Sequence, residues 1–147
     1  LSHAEKAPIL KGGLQALDPA LIPPGFEMGS QGYLDRFTEV MSGHTTPEKI
    51  HRYFEAQCLT DDVMAYHLLQ DSRSSRRFMI AGSFHTDFRD AAVARLMARA
   101  PGSNVVTVRI FNAENFGDLS LDQAMSEVLH DDRYGTVADY AVFVNVK

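Results

Sequence analysis

Residues 77–100 read RFMIAGSFHTDFRDAAVARLMARA. Phe78–Phe84 is a nearly unbroken apolar run, the signature of a buried strand. From Asp87 to Arg99 the apolar residues Phe88, Ala91, Ala92 and Leu96 recur on one side of a helix. Gly82 and His85 stand at the junction. In an open parallel sheet, ligands gather outside the carboxyl ends of strands, where such strand-to-helix loops lie. This unit therefore sets both the expected fold and the expected site.

The residues around it extend the pattern. Asn104–Ile110 is β-branched and predicts a second strand, Leu121–Leu129 a helix, and Tyr140–Val146 a third strand. Apolar strands joined by helices predict an α/β fold: a parallel sheet with helices on both faces and right-handed crossovers. Two helices precede it. Gln31–Ser42 repeats Leu34, Phe37, Val40 and Met41 at helical spacing, with Gly43 as its stop. Thr46, Pro47 and Glu48 then open a helix running to about Leu69. Residues 1–30, rich in Pro and Gly, are expected to be irregular, with one short helical turn at most.

A chain of 147 residues, 45% hydrophobic, is long enough for one core and one domain. Its net charge of -5 argues against a general nucleic-acid binder, which needs a basic face. No apolar run is long enough to span a bilayer. The one cysteine, Cys58, excludes an internal disulfide and a multi-cysteine metal site. Leu1 is not a start methionine, so any export signal or lipid anchor is expected upstream.

Within the long helix, the core-facing stripe reads Ile50, Phe54, Gln57, Asp61, Met64, Leu68. A carboxylate on that stripe needs a partner or a wet cavity. His85 is the candidate partner, and the two side chains are expected at the same end of the sheet, bonded directly or through one water. The plainer alternative is that Gln57 and Asp61 satisfy loop backbone while His85 stands exposed beside a helix cap. Tyr33 and Tyr53 flank the core faces of the first two helices. Each either buries its ring with the hydroxyl toward water, or offers a phenolate to ferric iron. His3, His44, His51, His67 and His130 lack tight metal-ligand spacing. No phosphate loop, nucleophile elbow or HExxH motif is present, so no catalytic residue is assigned.

AQCLTDDVMA, residues 56–65, resembles the Ala-Gln-x-x-x-Asp-x-x-Met-Ala signature of the ChaN-like haem-binding lipoproteins. IAGSFHTDFRDAAVARL resembles that family's strand, Gly-x-x-His turn and helix, while GGLQALDP and ADYAVFV extend the likeness toward both ends. The resemblance implies a haem-binding protein of the bacterial cell envelope, connected with iron uptake. Haem would be the ligand, Gln57, Asp61 and His85 the polar lining, and Tyr53 or Tyr33 the iron donor by chemical inference. It also implies a distant relationship to the Tiki and erythromycin-esterase-like superfamily, and hence a metal-dependent hydrolase as the alternative. The family's amino-terminal Gly-Glu-x-His strand has no counterpart here. Residues 1–147 are therefore expected to be one ChaN-like domain lacking the amino-terminal half, associating with that half or forming a homodimer. A third possibility is a half-domain whose polar stripe only orders the end of the sheet.

Overall fold

The structure, a computed structural model, describes residues 2–70 and 75–145. Five α-helices and four strands occur among them: α1 (His3–Gly12), α2 (Gln31–Met41), α3 (Pro47–Gln70), α4 (Ala92–Arg99), β1 (Val108–Asn112), α5 (Leu121–Leu129), β2 (His130–Asp131), β3 (Gly135–Thr136) and β4 (Tyr140–Val144). The class is α/β, with helices preceding a parallel sheet.

The first correction concerns the amino end, where α1 replaces the expected irregular chain. Ser2 and Glu5 form a capping box, the Ser2 hydroxyl taking the Glu5 N–H and the Glu5 carboxylate taking the Ser2 N–H. Pro8 removes one ladder donor but does not end the helix. Packing compensates, because Ile9 is fully buried with Leu17, Ala56 and Leu59 between α1 and α3.

Helices α2 and α3 lie close to where periodicity places them. Ser30 caps α2 by accepting the Tyr33 N–H. The buried face of α2 is Tyr33, Arg36 and Phe37, while Val40, counted among its apolar positions, is 55% exposed. Tyr33, Phe37, Ile50, Phe54, Cys58 and Ala91 make the core between α2, α3 and the start of α4, with Phe84 against it. Gly29 is required here: a Cβ would stand 2.7 Å from the Tyr33 ring and 3.2 Å from Cys58 Sγ.

The second correction falls on the opening stretch. Residues 78–84 form no strand, because no described strand lies beside them to complete a ladder. Phe78 and Ile80 are 89% and 101% exposed. The helix expected from Asp87 begins at Ala92, after two short 3-10 turns, Ser83–His85 and Asp87–Arg89. Phe88 and Arg89 adopt φ of 60° and 59°, which breaks the helix.

Strand β1 starts at Val108 rather than Asn104 and runs on to Asn112. The Asp139 carboxylate takes both the N–H and the hydroxyl of Thr107, and Thr107 O accepts the Tyr140 N–H. Pairing thus begins one residue later, in parallel register from Val108 with Tyr140 to Asn112 with Val144. The expected strand end at Val146 lies outside the described residues. Cover also differs from expectation. Arg109, Phe111, Ala141 and Phe143 are half-buried, whereas Val108, Ile110, Tyr140, Val142 and Val144 on the other face are exposed.

Candidate functional site

Tyr53, Gln57 and Asp61 follow one another at four-residue intervals along α3, so they share one face, a turn apart. The stripe passes from surface to core. Tyr53 is 38% exposed, Gln57 half-buried and Asp61 1% exposed. A carboxylate so deep must have its lone pairs satisfied. The Tyr33 hydroxyl donates to Asp61 Oδ2 at 2.8 Å, and His85 Nδ1 stands 2.6 Å from Oδ1. The expected meeting of Asp61 and His85 is a direct contact.

Gln57 Nε2 lies 3.1 Å from the same His85 nitrogen. One ring nitrogen serves one in-plane partner, and the shorter, charge-assisted contact takes the proton. His85 therefore donates from Nδ1 to Asp61, which leaves Nε2 for a ligand, at the edge of a side chain 22% exposed. Carboxylate–histidine pairs of this kind fix a ring's tautomer and orientation wherever imidazoles meet metals or anions. Burial pushes the Asp61 carboxyl up from its ordinary value, against the opposing pull of the His85 and Tyr33 hydrogen bonds. Burial, then the Asp61 charge, push the Tyr33 phenol far up. A hydroxyl so held remains a neutral donor.

The structure brings together Tyr33, Gln57, Asp61 and His85, and leaves Tyr53 one helical turn outside on the surface. Tyr33 does not fit iron: its oxygen is buried and committed to Asp61. Tyr53 and His85 Nε2 do fit an external ligand. A cavity of about 10 Å³ beside Tyr33, Cys58 and Asp61 has room for roughly one water and none for a porphyrin. The larger hollow, about 470 Å³, runs along α1 past Ala4, Ala7 and Lys11 and touches none of these residues. Burial raises the Cys58 thiol to about 12, which makes it an inert core group accepting the Gly29 N–H at 3.3 Å. Among the described residues, no three His, Cys, Asp or Glu side chains converge on a possible metal ion.

Two ion-pair systems escaped the reading of the sequence. Asp62, fully buried, takes Arg95 Nε at 2.8 Å and Arg99 Nε at 2.7 Å, with a further contact from Arg99 Nη2. The same arginines hold Gly25 O, Glu27 and Pro24 O, which ties the 24–27 loop to α3 and α4. Arg36, 5% exposed, forks onto Asp90 at 2.6 and 3.1 Å. Arginines at 95 and 99, one turn apart and opposite an Asp-Asp doublet, were the available signal for the first. Arg36 beside Phe37 offered none.

A family model described as haem-binding uptake, Tiki superfamily, ChaN, matches residues 2–96. No curated protein and no solved structure matches the chain. Among the described residues no helix is long and apolar enough to cross a membrane.

Proposed function

We infer function from a premise of kinship: this chain belongs to the ChaN family of haem-binding uptake proteins in the Tiki superfamily. The reading is that it binds ferric haem in haem or iron uptake at the bacterial cell envelope. Haem, when bound, would supply a ferric iron that takes a donor from the protein. Tyr53 suits that role, because its phenol is exposed and phenolate is a hard anionic donor matched to ferric iron. His85 presents Nε2 beside the same helix face and would steady a propionate. Asp61 supports it from beneath and Tyr33 supports Asp61. The observation that carries this reading is the 2.6 Å His85–Asp61 contact, set two turns along α3 from an exposed tyrosine, with Gln57 between. A surface haem needs a second wall, which a second copy or an amino-terminal segment would supply.

Metal-dependent hydrolysis is the rival. The Asp61–His85 dyad favours it, since a buried carboxylate and an imidazole form an acid–base pair. The described donors supply one such pair and no converging metal ligands, which suits a porphyrin better than a bare ion. Resonance Raman spectra of the ferric haem complex separate the roles. Tyrosinate modes should be present in wild type and in Tyr33→Phe, and absent in Tyr53→Phe. Modes that survive Tyr53→Phe would remove Tyr53 from the iron.

A further inference from the structure

The turn that follows His85 rests in an unfavourable backbone. Two adjacent side-chain-bearing residues, Phe88 and Arg89, occupy the left-handed region. Surrounding contacts must hold them there. Phe88 N–H donates to Val137 O at 2.9 Å, and Arg89 reaches Asp139 at 2.7 Å and Val105 O at 3.1 Å. These grip the turn from the sheet side.

From the helix side the Tyr33 and Phe37 rings pack on Phe84, and Arg36 makes the polar hold. The Arg36 guanidinium forks onto Asp90, donates to Phe84 O at 3.4 Å, and lies 4.1 Å over the Phe84 ring and 4.9 Å over the Phe88 ring. It therefore holds the residue before His85 and the residue five after it. Tyr33, one turn earlier on α2, gives its hydroxyl to Asp61. A single helix thus fixes the carboxylate with one side chain and the backbone of the imidazole with another.

We propose that Arg36 is a positioning residue for His85: by clamping Phe84 and Asp90 it sets the turn at which the imidazole meets Asp61. The proposal deepens the haem reading and takes its functional meaning from it, though the placement of the ring is independent of haem. Lysine carries the charge but not the planar fork, so it neither grips both Asp90 oxygens nor stacks on two rings. Arg36 also neutralises Asp90, whose charge adds to the effect of burial in raising the Asp61 carboxyl. Among the described residues, His85 and Arg95 also stand about Asp61.

The test is the His85 ring proton in isotope-labelled, haem-free protein, with haem affinity measured on the same samples. Wild type should show a downfield Nδ1–H signal, assigned by its loss in Asp61→Asn. Arg36→Lys, folded by circular dichroism, should lose or shift that signal and weaken haem severalfold, by no more than His85→Ala does, as removal of an outer-shell partner does. Tyr53→Phe should weaken haem while leaving the signal in place. Should Arg36→Lys fail to fold, Asp90→Asn removes the other half of the fork and should give the same spectral change. Loss of the signal with unaltered haem affinity would support the positioning role and remove His85 from the haem site. A folded variant that keeps the wild-type signal, whatever its haem affinity, would overturn the proposal.

Discussion

Tyr33 and Asp61 illustrate how far a residue's role follows from its type. The stripe on α3 announced that a carboxylate would be buried, with His85 as its natural partner; the 2.6 Å contact joins them although no strand precedes His85. Tyr33 was legible as a polar aromatic on a core face, but nothing in its neighbours distinguished a donor to Asp61 from a donor to iron. Only the crossing of α2 over α3 settles that. Tyr33→Phe should cost about 1–3 kcal/mol in chemical denaturation, because it leaves a buried carboxylate one hydrogen bond short. The phenol is raised above its ordinary value of 10.0. Its stabilising contribution is therefore full below that pH and lost as pH rises toward the folded value. Wild type should lose stability above about pH 10 more steeply than Tyr33→Phe does. Asp61 is also raised, from 3.8, chiefly by burial. Its contribution is full below that value and declines as pH rises through the folded one. Thermal melts of Asp61→Asn should fall furthest below wild type in acid, with the gap narrowing as pH rises.

At the scale of elements, legibility followed local signals. Helices α2, α3 and α5 have periodic apolar positions, α2 and α5 have serine caps as well, and the ends of all three lie within a residue of expectation. Helix α1 was obscured by Pro8, although its Ser2–Glu5 capping box was in plain view. Residues 78–84 have a strand's composition, but a strand exists only beside another, and pairing partners are not written in a single segment. The break at Phe88–Arg89 is likewise tertiary, imposed by Val137, Asp139 and Arg36 from outside the segment. The α3–α4 junction depends on Asp62, buried between Arg95 and Arg99. Asp62→Ala should therefore destabilise the protein by about 3–5 kcal/mol, since it strands two largely buried cations. Urea denaturation at neutral pH checks this, and a loss under about 1 kcal/mol would mean the arginines find water instead.

Across the whole molecule, apolar surface remains where the described residues provide no cover. Phe78 and Ile80 stand out to solvent on a segment outside any helix or strand, and one face of the β1–β4 sheet carries exposed Val108, Ile110, Tyr140 and Val142. Such edges and faces pair readily. Sedimentation should show association that rises with concentration, and Ile80→Lys should reduce it; a monomer at every concentration would argue that this surface is tolerated bare. The α/β class was legible because it depends only on the order of elements. The extent of the sheet was not, because it depends on what lies beside each strand. The haem reading unites these scales, with an exposed tyrosine, a propped histidine and a surface in need of a second wall. Titration of folded protein with ferric haem, followed by absorption, tests it most directly. The account predicts a saturable shift of the Soret band, weakened at least about tenfold, or 1.4 kcal/mol, in Tyr53→Phe, and less in His85→Ala. A haem spectrum unchanged by the intact, folded protein would contradict it.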